Sequence, residues 1–554
     1  MKRVLVLLLA LGLLSACGGG SAQPGPTATG TFAIGFNSAS YTTVNPSDVV
    51  GGNLRIGVES SCGVLVPQLR SPYRLSQSGT CRNLQRFLVR GLTAFVAYPG
   101  ASGMEAVPDL ATDLGEVSQD GLSVSYELRP GVQWQDGTPI TGADVLAGLR
   151  QFDVENRNVE FRSLSAEGNR VVIGLPAPLS TIDELLAMSA AAPLPSSGAA
   201  LASGPFQLSG STRAGYTFVR NPAWSAATDS VRTPHSEIVT VSVNPDVEAL
   251  ENAVVAGELN VMLAPGLSDI EANRVLANPN TAGDADNPAT GETLMLAMQE
   301  GAPPLENVAC RRAVFSAVDR NTIISVTGGA AHRMPAITVS PPNYPSYAGG
   351  YEPYPIGKGD GDVAAAQAQL TKCGQGAGFT LKIAYAERAS AVFNVLRTSL
   401  QRAHITAIGV PISDAGFDAF ASTPSEVEAA GVGALLFSYT STVPSVEAYL
   451  SPLVAPVTPI ANTNLAQLEL RSIDVLVNSP EMGSRDLAIQ GDVGRAIDRL
   501  ILDSVAYIPL TYELAMRVRP RSLTNVSVNS AFGSEYDAVN LGTQGSPATA
   551  AASD

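Results

Sequence analysis

The side chains able to do chemistry are few and scattered. The three histidines, His235, His332 and His404, have no carboxylate or cysteine at ligand spacing, so no zinc site is expected. Asp360-Gly361-Asp362 and Asp284-Ala285-Asp286 begin like calcium loops, but neither continues to a Gly at position six and a Glu at twelve, and both read as turn residues. Gly431-Val432-Gly433 lacks the third glycine and the following helix of a dinucleotide site, and Gly357-Lys358-Gly359 has no Ser/Thr after its lysine. With four lysines, Lys2, Lys358, Lys372 and Lys382, no Ser-x-x-Lys occurs, and no Gly-x-Ser-x-Gly or His-Glu-x-x-His either. No catalytic residues, no metal and no cofactor are therefore expected. The chemistry left is reversible recognition.

The five cysteines divide by position. Lys2 and Arg3 precede an apolar run, Val4 to Leu14, shorter than the roughly twenty residues a membrane span needs, so residues 1–16 read as a signal peptide. Leu14-Ser15-Ala16-Cys17 resembles the lipobox of bacterial lipoproteins, which implies a lipidated Cys17 and a membrane anchor. Residues 17–50, rich at first in Gly, Ser, Pro and Ala, then form a tether. The remaining Cys62, Cys81, Cys310 and Cys373 suggest two disulfides in an exported chain. Four cysteines allow three connectivities. Cys62 with Cys81 and Cys310 with Cys373 is favoured because each pair lies within one expected domain, with unpaired buried thiols as the alternative.

These residues are positioned by a chain of 554 residues, long enough for about two to four domains. A 45% hydrophobic share with 15% charged residues fits a globular body, and a net charge of −16 without a basic block excludes nucleic acid as a partner. The most legible stretch runs from Val107 to Val145. Gln119-Asp120-Gly121 is a hairpin-type turn; Leu122, Val124, Tyr126 and Leu128 then alternate with polar residues as in a half-buried strand. Pro130-Gly131 turns the chain into a short strand with Val132 and Trp134, Asp136-Gly137 turns it again, and Thr141 with Asp144 resembles a capping box for a helix from Gly142. Further on, strand Ile238 to Val243, helix Val247 to Ala256 and a strand near Val261 suggest a βαβ unit with parallel pairing. Strands and helices alternate again from Thr293, with one helical region over Leu305 to Val326 and another helix over Leu465 to Val477.

The Val107–Val145 run closely resembles the signature of the family 5 extracellular solute-binding proteins of ABC importers, "L-A-x-x-W-x-x-S-x-D-G-x-x-Y-x-x-x-L-R-x-G-V-x-W-x-D-G-x-P-x-T-A-x-D-V". Gly51-Gly52-Asn53-Leu54-Arg55, Gly204-Pro205-Phe206, Arg220-Asn221-Pro222 and Ala506 to Tyr512 resemble other conserved-looking runs of that family, so the likeness spans about Gly51 to Gly542. It implies a periplasmic-binding-protein-like class II α/β fold. Lobe I would comprise residues 51–75, 202–290 and 505–542, with an inserted subdomain at 76–201. Lobe II would span 291–504, and 543–554 would be a loose tail.

The implied function is capture of an extracytoplasmic solute, a short peptide above all, by a monomeric lipoprotein that closes about a hinge and delivers it to an ABC permease. The implied cleft residues are Glu59, Ser60 and Ser61 on one side, and Phe437, Ser438, Tyr439, Thr440, Ser441, Thr442 and Tyr512 on the other. Family members often carry "G-W-x-A-D-Y-P-D-P-x-x-F-L", whose Asp pairs with the peptide's free amine. Here Thr442 stands in its place, and a neutral hydroxyl offers an ammonium less than a charge-assisted bond. Either the amine is held elsewhere, with Glu59 the first candidate, or the ligand is a non-peptide solute such as a metal chelate, a glycan or an amine-free compound. A signalling or scaffolding lipoprotein without transport is the third alternative.

Overall fold

The computed structural model describes residues 35–63, 65–66, 78–155, 160–354, 356–456 and 463–543. The signal-peptide and Cys17 readings lie outside the described residues, as does the tail from 544 onward.

The first lobe is built on a five-stranded sheet. Strand Asn53–Val58 is flanked in parallel by Val261–Met262 at the edge and Ile238–Val243 at the centre, and antiparallel Gly215–Arg220 and Phe206–Thr212 complete the sheet. The expected strand–helix–strand is present, its helix Val247–Val255 capped by the Asp246 carboxylate accepting from Ala249 N. Its two strands do not pair with each other, however, because Asn53–Val58 lies between them. Leu54, Ile56 and Val58 alternate into a core with Phe206, Phe218 and Val241. Helix Gly79–Gln85 also belongs here, since Cys81, Leu84, Phe87 and Leu88 join this core. The expected boundary at 76 is therefore too early; the subdomain's own core starts at Leu92.

That subdomain carries an antiparallel sheet in the order Glu116–Val117, Ser123–Glu127, Arg170–Gly174, Ser163–Glu167. Val124, Tyr126 and Leu128 are buried, as the alternation predicts. Val132 and Trp134 are buried without forming a strand, pairing there being a single bridge between Gln133 and Pro139. Asp144 reaches back to Thr141 N at 2.8 Å and accepts the Thr141 hydroxyl at 2.8 Å, the reciprocal half of a capping box at the start of helix Gly142–Glu155.

The second lobe is a six-stranded mixed sheet in the order Arg333–Pro335, Tyr507–Leu514, Ala289–Met298, Ala434–Tyr439, Thr380–Ala386, Thr406–Ile412. Helices cover both faces, so Leu294, Leu296 and Met298 enter one core while Met295 and Ala297 enter the other. This accounts for unbroken apolar runs in place of alternation. Tyr507–Leu514 pairs with Ala289–Met298 inside this sheet, which corrects the assignment of all of 505–542 to lobe I: the chain returns only after Leu514. The expected Leu305–Val326 region is two helices, Val308–Ala317 and Arg320–Val326, separated where Asp319 caps the second, and the Leu465–Val477 helix is confined to Arg471–Val477. The disulfides are Cys62–Cys81 and Cys310–Cys373, as favoured.

The tether reading of 17–50 fails from residue 35 onward. Ala39 and Val44 are buried, and Val44 bridges Val526. Thr543 is likewise paired, in strand Gly542–Thr543 against Leu523–Thr524, so it is no part of a loose tail.

Candidate ligand-binding site

The chain crosses between the two large sheets twice, and the crossings pair as a short antiparallel ribbon, Ala285–Asp286 against Arg517–Val518. Buried Asp286 anchors the ribbon to the first lobe: it accepts Tyr536 Oη at 2.8 Å and Ala39 N at 2.9 Å, and it forms an ion pair with Arg519. Just beyond the ribbon, the second sheet gathers charge. Arg333 lies directly across from Glu513 in the ladder. Its Nη1 is 2.9 Å from Glu292 Oε1, whereas its Nη2 is 3.7 Å from Glu513 Oε1. Ser438 Oγ donates to Glu292 at 3.0 Å and Thr290 Oγ1 donates to Glu513 Oε2 at 2.7 Å. One guanidinium thus serves two carboxylates, and burial, followed by the negative charge of Glu292, pushes the Glu513 carboxyl up.

A cavity of about 560 Å³ opens at this junction, within the span of small-molecule sites. Thr80, Ser268 and Glu535 line it from the first-lobe side, and Thr290, His332, Glu513 and Arg517 from the crossing strands and second lobe. Most of its charged groups are already engaged. Glu535 accepts from Asn83 at 3.2 Å and from Thr80. Arg517 donates to the carbonyls of Leu263 and Ser534. His332 Nε2 lies 2.8 Å from Asp269 Oδ1, a carboxylate sequence spacing did not bring into view. A separate enclosed space of about 20 Å³ beside Arg82, Arg86 and Phe532 fits a single water-sized molecule.

The ten residues expected in the cleft divide sharply. Glu59, Ser60 and Ser61 are exposed, with the Ser61 hydroxyl 2.6 Å from Tyr216 Oη. Ser438, Thr440 and Thr442 are exposed on the second lobe, while the Ser441 hydroxyl is turned inward onto the carbonyls of Val443 and Ala448. Tyr439 donates its hydroxyl to Tyr449 O at 2.8 Å and packs edge-on against that ring. Phe437 and Tyr512 are core residues: Phe437 sits in the apolar cluster under helix Leu487–Ser504. Tyr512 is fully buried, its hydroxyl bound to the main chain of Thr338. None of the ten lines the cavity. Sequence reasoning missed Thr290, Glu513, Arg517 and Glu535. The available signal was Tyr512 itself, since an inward side chain in a strand places the next one on the opposite face.

The loop carrying Thr442 does meet the first lobe. Arg82, on helix Gly79–Gln85, donates through Nη1 to Thr442 O at 2.6 Å. Asn343 Nδ2 reaches Ser534 Oγ at 3.2 Å, and Arg485 Nε reaches Asp183 Oδ2 of the subdomain at 2.8 Å beside the contact of Ser180 with Glu447. Burial holds Glu184 at this contact up at about 7, with the charges of Asp183 and Glu447 acting in the same direction. Among the described residues no group of three His, Cys, Asp or Glu could hold a metal ion, and no helix is long and apolar enough to cross a membrane.

Two α/β lobes, one with an inserted subdomain, joined by paired crossings beside a ligand-sized cavity, define a two-lobed solute-binding protein of class II architecture. Residues 105–457 match the family described as bacterial extracellular solute-binding proteins, family 5 Middle, and the chain belongs to that family. Its members bind solutes for transport, and membership places the chain outside the cytoplasm. The chain is 24% identical over 475 residues to the glutathione-binding protein GsiB of Escherichia coli strain K12, covering 80% of this chain and 88% of that one. It is 25% identical over 240 residues to the probable peptide ABC transporter periplasmic-binding protein y4tO of Sinorhizobium fredii, 38% of this chain and 45% of that one. The solved clavulanic acid biosynthesis oligopeptide binding protein 2 superposes with a TM-score of 0.80 at 28% identity, covering 94% of this chain and 100% of that chain.

Proposed function

We propose that this chain captures short peptides, closing its two lobes about the paired crossings, and delivers them to an ABC permease. The observation that carries this reading is the cavity of about 560 Å³ bounded by both lobes at their junction. Binding there rewards lobe closure, because a ligand that contacts both walls favours the state in which both walls are present. Relatives named for glutathione and for peptides support a small peptide as the guest. The protein acts as a monomer without a covalent step, held on the outer face of the membrane through an acylated Cys17 after removal of residues 1–16; intact-mass analysis showing an unmodified Cys17 would refute the anchor.

A second reading, a solute without a free amine, is favoured by one feature: Thr442 brings no carboxylate, and its carbonyl is occupied by the Arg82 guanidinium. Native mass spectrometry of the protein as isolated separates the two. A set of co-purifying masses matching di- to tetrapeptides supports peptide capture; one constant non-peptide mass refutes it. Titration calorimetry with glutathione and tripeptides is the complementary measurement, and absence of heat with all of them counts against the first reading.

A further inference from the structure

We infer that Glu513 is the residue that receives a cationic nitrogen of the ligand, taking over the task that the position of Thr442 cannot perform. The inference rests on the peptide reading above and names a specificity-determining contact within it.

The argument is one of elimination among groups that face the cavity. Its charged lining side chains are Glu513, Glu535, Arg517 and, when protonated, His332. Both Glu535 oxygens already accept a side-chain donor, from Thr80 and Asn83, and the residue is 2% exposed, so it offers an incoming cation little access. Arg517, a cation, donates to two main-chain carbonyls, and His332 Nε2 lies 2.8 Å from Asp269 Oδ1; neither carries a negative charge. Glu513 differs. Its side chain is 38% exposed, its Oε2 is fixed by Thr290 at 2.7 Å, and its Oε1 has no hydrogen-bond donor among the described residues, the nearest guanidinium nitrogen being Arg333 Nη2 at 3.7 Å.

The surroundings add charge to that geometry. Arg333 is committed to Glu292 at 2.9 Å, so two carboxylates share one cation and the wall carries an excess negative charge. An ammonium or guanidinium arriving at Glu513 Oε1 would form a charge-assisted hydrogen bond in a partly desolvated site and relieve the repulsion from Glu292. No other ionisable group on the cavity wall combines a free acceptor with solvent access. Thr290 holds the carboxylate in place at the start of strand Ala289–Met298, next to the crossing ribbon.

The nitrogen could be the peptide's terminal amine or a basic side chain, and three probes tell them apart: Ala-Ala-Ala, N-acetyl-Ala-Ala-Ala and N-acetyl-Ala-Lys-Ala, titrated calorimetrically into the full-length protein and its Glu513→Gln and Glu513→Asp variants, with thermal melting to verify folding. The wild type is expected to bind at least one cationic probe roughly 10- to 100-fold more tightly than N-acetyl-Ala-Ala-Ala, the worth of one charged hydrogen bond. Preference for Ala-Ala-Ala identifies the terminal amine and preference for N-acetyl-Ala-Lys-Ala the side chain. Glu513→Gln should abolish the preference, so that in this variant the cationic probes bind within a few-fold of N-acetyl-Ala-Ala-Ala, and Glu513→Asp should restore part of it. Equal binding of all three probes by the wild type, or a preference that survives in folded Glu513→Gln, overturns the assignment and leaves peptide capture standing. Failure of all three to bind overturns the peptide reading and this inference with it.

Discussion

Opening the Cys62–Cys81 disulfide should cost the first lobe about 3 kcal/mol, and opening Cys310–Cys373 should cost the second about 4 kcal/mol. The two close loops of 19 and 63 residues. The chain-entropy relation scales with the logarithm of loop length, so a threefold longer loop adds only about 1 kcal/mol. All four cysteines sit on or against the cores they tie: Cys62 and Cys81 join the first-lobe core, Cys310 is fully buried, and Cys373 packs against the second. Reduction therefore tests the cross-link alone, whereas Cys→Ala pairs add a small packing loss. Urea unfolding separates the lobes by probe. Both tryptophans, Trp134 and Trp224, precede the second sheet, so tryptophan fluorescence follows the first lobe and its subdomain, and far-ultraviolet circular dichroism follows the whole chain. Loss of about 3 kcal/mol should lower the fluorescence midpoint by about 1 M or more. Loss of Cys62–Cys81 should also weaken ligand binding, since Cys81 fixes the helix from which Arg82 grips Thr442 O. A fluorescence midpoint unchanged by reduction, or a larger loss from Cys62–Cys81 than from Cys310–Cys373, would refute the entropic reasoning.

Three further expectations follow from buried groups. Tyr512→Phe removes a hydroxyl that accepts from Thr338 N and donates to Thr338 O; it should destabilise the second lobe by about 1–3 kcal/mol and leave peptide affinity unchanged by calorimetry, whereas a ligand-contacting tyrosine would lose affinity first. Glu184 has a folded pKa of about 7 against 4.5, so the folded state binds the extra proton: its contribution is complete below pH 4.5 and is lost as the pH rises through 7. Melting temperatures between pH 5 and 8 should fall less steeply for Glu184→Gln than for wild type, and parallel curves would refute this. Arg485→Ala strips a charged partner from buried Asp183, which keeps its bonds from Tyr126 and Gly115. Because Arg485 is half exposed, the expected loss is about 1 kcal/mol, read as a lower melting temperature that high salt reproduces in the wild type.

The sequence carried the element boundaries well wherever local chemistry is decisive. Asp-Gly turns at 120–121 and 136–137 have left-handed glycines, Thr141 and Asp144 start a helix, and the period-two run through Val124 and Tyr126 is half buried. The site was far less legible. Phe437 and Tyr512, which the family resemblance implies as cleft aromatics, are core residues: the second sheet is covered on both faces, and such strands have no polar side to reveal orientation. Ser438 and Thr440, the polar residues of the same stretch, are the ones that face outward.

Read alone, the amino-acid order determined the family signature and the turns and caps, because each depends on residues close together in the chain; it favoured the cysteine pairing without fixing it. Tertiary structure decided that Tyr507–Leu514 joins the second sheet, that helix Gly79–Gln85 packs with the first lobe, and that Thr290, Glu513 and Arg517 meet at one cavity. Those outcomes rest on contacts that local pattern does not carry, such as Thr290 with Glu513, 223 residues apart, and a carboxylate's role is fixed by which donors reach it: Glu535 and Glu513 differ not in chemistry but in how many neighbours each has already bound.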